Sequence, residues 1–175
     1  SSVVAALTAA NSSSASAATT DELTGLFNRR GFNQLLRFTL SVARRRAEPL
    51  TLGWLDLDRF KEINDRYGHE EGDNALKVMA ELMRTSFREA DLLVRFGGDE
   101  FAVLFADTDE QGAWIAMQYL AEQVEQYNAR RLHPWSLHFS WGLSEFDHNG
   151  NDLQQWMKDA DEKMYAMKQQ RKRAT

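Results

Sequence analysis

An apolar run of eight residues that ends in carboxylates is the feature that most constrains the fold. Residues Leu50–Leu57 read Leu-Thr-Leu-Gly-Trp-Leu-Asp-Leu, and Asp58 follows directly. A short run without a polar face is typical of a strand buried in the middle of a sheet. Helical patterns precede and follow the run, so the sequence predicts a sheet with helices packed on it.

The other apolar patterns extend this prediction. A first helix begins at the N-cap Asn28 and ends in Arg44, Arg45 and Arg46, which we interpret as a solvated helix end rather than a phosphate-binding patch. Later elements are a helix near residues 75–87, a hairpin of residues 92–96 and 101–105, a helix from the capping box at Thr108 toward Arg131, a strand at 136–141 and a helix at 153–167. This order predicts an α/β chain of the α+β type, with a central mixed, mostly antiparallel sheet flanked by helices.

Composition excludes several classes of function. The 175 residues suit one domain, and the absence of cysteine excludes a disulfide framework, a thiolate nucleophile and a cysteine-ligated metal. The net charge of −5 argues against a general nucleic-acid binder. No apolar run is long enough to cross a bilayer, so we expect no membrane span in this chain.

The uncharged start of the chain differs from the remainder. Residues 1–20 are mostly Ala, Ser and Thr, which predicts a linker or the tail of an upstream helix, with the folded domain at residues 21–175. Because the chain starts without Met, we expect it to be part of a longer protein.

Three carboxylates are placed to meet. Asp56 ends the apolar strand, and Asp99 with Glu100 occupies the hairpin tip. Oxygen ligands that converge from two elements suit Mg²⁺ bound together with substrate phosphates. The alternative is that Asp56 and Asp58 only cap the following helix, and for Asp58 we favour that alternative.

Two glycines precede the acids at the hairpin tip. Gly97 and Gly98 permit positive φ and a tight turn with exposed backbone amides, which is also the pattern of an ordinary hairpin. Carboxylates next to such a turn repel one another unless a cation joins them, which favours a ligand site.

Gly97-Gly98-Asp99-Glu100-Phe101 resembles the naming motif of the GGDEF family of diguanylate cyclases. Two further blocks accompany it, Asp-Glu-Leu-Thr-Gly-Leu-Phe-Asn-Arg-Arg at residues 21–30 and Asp-Leu-Asp-Arg-Phe-Lys-Glu-Ile-Asn-Asp at residues 56–65. Three blocks in this order and spacing are specific, and the resemblance extends over about residues 19–173. It implies a fold related to the polymerase palm and to adenylyl cyclases.

The resemblance also implies a reaction, in which two GTP molecules condense to cyclic di-GMP and two pyrophosphates. It implies two Mg²⁺ per active site, with Mn²⁺ as a possible substitute, held by Asp56, Asp99, Glu100 and the Leu57 carbonyl. The other residues that it implies are Asn64 and Asp73 for guanine and, for the phosphates, Phe60, Lys61, Gly97, Gly98, Lys168 and Lys172. Asp73 favours guanine over a mixed adenine–guanine product.

A second site is implied by Arg88-Glu89-Ala90-Asp91, which resembles the family's inhibitory RxxD site for cyclic di-GMP. The alternative is an ion pair of Arg88 with Asp91 at the end of a helix. The C-terminal block departs from the family pattern, because Arg171 replaces the usual glycine and leaves the turn geometry there in doubt.

The implied reaction needs two domains that face each other, so we expect a homodimer in the active state. We expect an upstream sensor domain in the full-length protein and a cytoplasmic location, whether or not the parent protein is membrane-anchored. The alternative function is a catalytically silent module that binds GTP or cyclic di-GMP. The five tryptophans are predicted to lie in the core: Trp54, Trp114, Trp135, Trp141 and Trp156.

Overall fold

The computed structural model describes residues 18–150 and 152–174. The elements are α1 (Arg29–Arg46), β1 (Leu50–Leu57), α2 (Phe60–Tyr67), α3 (His69–Ser86), β2 (Leu92–Gly97), β3 (Glu100–Ala106), α4 (Glu110–Ala129), β4 (Phe139–Glu145) and α5 (Leu153–Ala174). Most of the predicted linker, residues 1–17, lies outside the described residues. Over the described ranges, no helix is long and apolar enough to cross a membrane.

The strands form one sheet in the order β2-β3-β1-β4, and all three pairings are antiparallel. Strand β1 is central and buried along its length, apart from the half-buried Asp56. The predicted α+β class is therefore confirmed. Among the described residues, parallel pairing is limited to one isolated bridge between Phe27 and Val94.

Helices cover both faces of the sheet. One face packs against α3 and α4 through a cluster that includes Leu55, Met79 and Leu120. The other face packs against α1 and α5 through a cluster that includes Phe32 and Trp156. Since successive side chains of a strand point to opposite faces, the unbroken apolar run of β1 serves both clusters.

The helix starts follow side-chain capping where the sequence provides it. The Asn28 side chain accepts a hydrogen bond from the Gly31 N–H, which confirms the predicted N-cap of α1. Helix α4 begins one residue later than predicted, because Asp109 rather than Thr108 accepts from the Gly112 N–H. The Thr108 hydroxyl donates to the Ala106 carbonyl instead.

The core prediction was wrong for one tryptophan. Trp114 is 51% exposed, whereas the other four tryptophans are buried. Helix α4 turns its other face, with Ala113, Met117 and Leu120, toward the core. Trp114 lies on the outer face of the helix.

Candidate active site

The antiparallel register brings the predicted acids to one end of the sheet. Asp56, near the end of β1, is paired in register with Glu100, at the start of β3. The Leu57 N–H donates to the Asp99 carbonyl at 3.2 Å, which ties the strand to the hairpin tip. The carboxyl of Asp99 is close enough to that of Asp56 to raise the pKa of Asp56.

This crowding changes the acidity of two carboxyls. Burial, followed by the neighbouring Asp99, raises the pKa of Asp56 from 3.8 to about 7, although Lys168 opposes the rise. Burial also raises the pKa of Glu100, with the charges of Asp161 and Asp99 as further causes. Both carboxyls therefore bear a cost of ionisation that a bound cation would relieve.

Lys168 provides positive charge at this point. Its Nζ lies 2.9 Å from Asp56 Oδ2 and donates to the Leu57 carbonyl at 3.1 Å. The predicted phosphate-binding lysine is thus placed between two of the predicted metal ligands.

The residues at this end of the sheet fit a divalent cation in their chemistry. As the side chains are placed, no three His, Cys, Asp or Glu residues within the described ranges are arranged to hold a metal. However, Asp56 Oδ1 is buried and has no hydrogen-bond partner in the part of the chain that the structure describes. A free carboxylate oxygen next to Asp99 and the Leu57 carbonyl makes a set of oxygen donors that suits Mg²⁺ or Mn²⁺.

The hairpin tip is open on the side of the acids. Gly97 and Gly98 have φ values of 131° and 53°, and both are exposed. A side chain added at either position would meet no atom within 4 Å. The glycines therefore provide both the turn and room for a ligand close to the backbone.

Arg95, on strand β2, is hydrogen-bonded to the hairpin tip. Arg95 donates to the Gly98 carbonyl through Nε at 3.1 Å and Nη2 at 2.8 Å, and its Nη1 lies 2.9 Å from Asp21 Oδ1. Burial by itself would raise the pKa of Asp21, but hydrogen bonds from Thr24 and Arg95 hold this pKa below its ordinary value. Sequence reasoning missed this connection, for which the only signal was the presence of Asp21 at the start of the N-terminal block.

The predicted guanine pair lies on two packed helices. Asn64 is on α2, Asp73 is on α3, and Gly68 joins the helices with a φ of 96°. The buried Gly72 was missed by sequence reasoning. A methyl group at position 72 would overlap the amide of Asn64, so glycine leaves room for that side chain.

The turn between β1 and α2 carries the remaining predicted phosphate contacts. Lys61 is exposed, and Phe60 is half-buried against the core. The capping role favoured for Asp58 was wrong, because the N-cap of α2 is Arg59 and has no side-chain hydrogen bond. Asp58 instead accepts from the Ser140 hydroxyl at 2.7 Å and from Arg171 Nη1 at 3.1 Å.

The C-terminal helix continues through the position that departs from the family pattern. Helix α5 extends to Ala174, so Arg171 introduces no turn. Lys172 and Arg171 line an open cavity of about 480 Å³ that α5 forms with α4 and the start of β4. The cavity borders the predicted phosphate side of the site, since Lys168 also lines it.

The predicted inhibitory pair lies at the far end of the sheet. Arg88 Nη2 is 3.0 Å from Asp91 Oδ1 and also donates to the carbonyl of Ala106, the last residue of β3. At about 3.3 Å per residue, β3 separates this position from Glu100 by about 20 Å. The alternative ion pair is present, and the Asp91 side chain is only 2% exposed. Binding of product here stays a prediction.

Clustered carboxylates at an open hairpin, together with a basic helix, define a domain suited to phosphorylated ligands. Similarity to known protein families, relatives and solved structures identifies the domain. The chain belongs to the family described as "Diguanylate cyclase, GGDEF domain", whose model matches residues 18–174. The predicted family is thereby confirmed.

Named relatives agree with this assignment. The chain is 33% identical over 150 residues to "Probable diguanylate cyclase DgcC" of Escherichia coli strain K12, covering 86% of this chain and 40% of the relative. It is 37% identical over 140 residues to "Cyclic di-GMP phosphodiesterase NbdA" of Pseudomonas aeruginosa, covering 80% of this chain and 18% of the relative. The chain therefore spans less than half the length of either relative.

A solved structure shows the same fold. The GGDEF domain of DgcB from Caulobacter crescentus, crystallised with cyclic di-GMP, matches with a TM-score of 0.79 and 28% sequence identity. The match covers 87% of this chain and 91% of that domain.

Proposed function

We propose that this domain is an active diguanylate cyclase, which condenses two GTP molecules into cyclic di-GMP and two pyrophosphates. The observation that carries the proposal is the acid cluster of Asp56, Asp99 and Glu100, which retains a buried, unpartnered carboxylate oxygen next to an open glycine turn. Membership of the family supports the same activity.

Different residues of the site bind the guanine and the phosphates of GTP. Asn64 and Asp73, on neighbouring helices, hydrogen-bond the guanine edge. The backbone at Phe60 and the side chain of Lys61 contact the phosphates from the β1–α2 turn. Lys168 and Lys172 approach the phosphates from α5, while Gly97 and Gly98 let them lie close to the hairpin backbone.

Divalent cations complete the site. Asp56, Asp99, Glu100 and the Leu57 carbonyl would hold Mg²⁺ or Mn²⁺, at two ions per site as is common in phosphoryl transfer. When bound, the cations supply charge neutralisation and lower the pKa of the attacking hydroxyl. Lys168 then leaves the carboxylate of Asp56 and binds the triphosphate.

In the chemical step, the ribose 3′-oxygen of one GTP forms a bond to the α-phosphorus of the other. The bond from that phosphorus to pyrophosphate breaks, and Glu100 receives the hydroxyl proton. The same step with the two nucleotides exchanged closes the ring and releases the second pyrophosphate. Because each domain holds one GTP, two domains face each other in a homodimer, and this proximity contributes to the rate.

Product inhibition at Arg88 and Asp91 is the second part of the proposal. Asp91 is enclosed by its ion pair, so Arg88 must turn away before cyclic di-GMP contacts both residues. We expect Arg88→Ala to leave turnover in place and to weaken inhibition by added cyclic di-GMP several-fold. Unchanged inhibition would defeat the assignment of this site.

The proposed substrate indicates where in the cell the domain acts. GTP places the domain in the cytoplasm, and an upstream sensor domain in the full-length protein controls pairing of the two domains. The acidic net charge makes nucleic acid an unsuitable partner.

The role of Glu100 gives a direct test. We expect Glu100→Gln to abolish pyrophosphate release from GTP while the melting temperature stays within a few degrees of the wild type. Glu122→Gln is the matched control, because Glu122 is exposed on α4, and it should retain full turnover. Turnover that persists in Glu100→Gln would contradict the proposed proton transfer.

A second candidate function is a catalytically silent module that binds guanine nucleotides and signals by contact. The placement of Lys168 on Asp56 favours it, because this ammonium group competes with a cation. The name of the phosphodiesterase NbdA also shows that a relative is not named for synthesis. Binding of GTP without formation of cyclic di-GMP, at protein concentrations that permit dimers, would favour this candidate.

A further inference from the structure

Arg171 has no assigned role, yet it joins two parts of the site. Its Nη1 donates to Asp58 Oδ2 at 3.1 Å and also to the Phe139 carbonyl. Asp58 and Arg171 are 113 residues apart in the chain. This contact connects the last turns of α5 to the turn that leaves β1.

Asp58 is well placed to anchor that turn. Its side chain is 12% exposed, its Oδ1 accepts from the Ser140 hydroxyl at 2.7 Å, and its N–H donates to the His138 carbonyl at 2.7 Å. By contrast, Arg59 has a φ of 57° and provides no side-chain cap for α2. The turn therefore depends on Asp58 for its side-chain anchorage.

The residues on either side of the contact are those expected to bind phosphate. Asp58 lies between the Leu57 carbonyl and the Phe60–Lys61 pair on one segment. Arg171 lies between Lys168 and Lys172 on α5. The Arg171 guanidinium group, together with Lys168 on the end of β1, thus holds a basic helix against the turn that faces it, and Arg171 also neutralises a carboxylate two residues from Asp56.

We infer that Arg171 is a positioning residue, which holds the β1–α2 turn and α5 at the spacing that binds the β- and γ-phosphates of the substrate. The inference rests on the proposed function, because it concerns the phosphate part of the same site. Without Arg171, the carboxylate of Asp58 keeps Ser140 but loses its cation. It then repels the incoming phosphates, and the turn moves relative to Lys168.

The test compares two guanine nucleotides, one with three phosphate groups and one with a single phosphate group. Binding of a non-hydrolysable GTP analogue and of GMP is measured by calorimetry, with Mg²⁺, for the wild type and for Arg171→Ala. Loss of a charge-assisted hydrogen bond predicts about tenfold weaker binding of the analogue, with GMP affinity changed less than twofold. Arg171→Lys should recover most of the loss, because an ammonium group can also donate to Asp58 and Phe139.

Arg173→Ala is the matched control, since it removes one positive charge from the same exposed end of α5. It should weaken the analogue by less than twofold. Equal losses in Arg171→Ala and Arg173→Ala, or equal losses of analogue and GMP, would overturn the positioning role. Hydrogen exchange of the ligand-free protein adds an independent readout. Arg171→Ala should exchange faster at the amides of residues 59–62, and unchanged exchange there counts against the inference.

The outcome also separates this inference from the proposed function. If the wild type makes no cyclic di-GMP but the losses for analogue and GMP differ as described, the cyclase proposal fails and the positioning role stands. If the wild type binds neither nucleotide, both are overturned.

Discussion

Replacing Asp99 by Asn should stabilise the cation-free protein and at the same time remove its activity. The pKa of Asp56 is raised from 3.8 to about 7 by burial and then by Asp99, with Lys168 opposing. A carboxyl whose pKa is raised by folding stabilises the folded state below pH 3.8, and that contribution is lost as the pH rises through about 7. The wild type should therefore lose stability between about pH 5 and pH 8 in EDTA.

The size of this stability effect follows from the same rise in the pKa of Asp56. At about 1.36 kcal/mol per pH unit, the whole rise corresponds to an upper limit of about 4 kcal/mol. Burial is its largest cause and would persist in the variant, so the part due to Asp99 is smaller, on the order of 1 kcal/mol. In a domain of this size, that amount raises the melting temperature by roughly 2–4 °C.

The assay is thermal or urea unfolding of wild type and Asp99→Asn in EDTA at pH 5 and pH 8. The variant should be more stable at pH 8 and nearly equal to the wild type at pH 5, where Asp56 is still protonated in the folded state. Asp65→Asn, at an exposed position on α2, controls for the general loss of negative charge. A difference that is the same at both pH values, or a less stable variant at pH 8, would refute the reasoning.

Four further substitutions test other parts of the account. Gly72→Ala should raise the KM for GTP at least tenfold, because the added methyl group displaces the Asn64 amide, and kinetics at saturating and limiting GTP will show it. Arg95→Ala should lower kcat and destabilise the fold by about 1–3 kcal/mol, measured by urea unfolding, because it leaves a partly buried carboxylate and the tip carbonyl without their donor. Trp156→Ala should cost about 3–5 kcal/mol in the same assay, whereas Trp114→Ala, at an exposed position, should cost less than about 1 kcal/mol.

The parts of the fold that depend on local pattern were predictable from the sequence. The apolar run of β1 is long enough to identify a central strand, and the Gly-Gly pair identifies the hairpin. Once these two elements pair in antiparallel register, Asp56 and Glu100 must meet, so the acid cluster follows from the sequence as well. The N-cap Asn28 was identified for the same reason, since capping involves residues that are close in the chain.

What the sequence could not provide depends on contacts between distant residues. The exposure of Trp114 depends on how α4 is rotated against the sheet, and an aromatic residue in a helix carries no signal for that rotation. The interaction of Asp58 with Arg171 crosses 113 residues, whereas the capping role expected for Asp58 was a local rule. A helix starting near Arg59 was part of the capping alternative, but its N-cap was assigned wrongly, because Arg59 takes that position in the left-handed region without a side-chain cap.

The position of Lys168 shows why a residue's type does not fix its partner. The sequence identified a lysine suited to phosphate, and the structure places its ammonium group on Asp56 and the Leu57 carbonyl. A buried carboxylate attracts the nearest cation that can reach it, and helix α5 brings Lys168 within reach. Only the packing of α5 on the sheet determines that distance.

Identification of the product formed from GTP tests the central claim most directly. The purified protein, stripped of nucleotide and concentrated enough to form dimers, is incubated with Mg²⁺ and GTP, with ATP, and with both, and the products are identified by mass spectrometry. The account predicts cyclic di-GMP and pyrophosphate wherever GTP is present, no product from ATP alone, and no mixed dinucleotide. Bound GTP with no cyclic di-GMP, or a mixed adenine–guanine product, would contradict it.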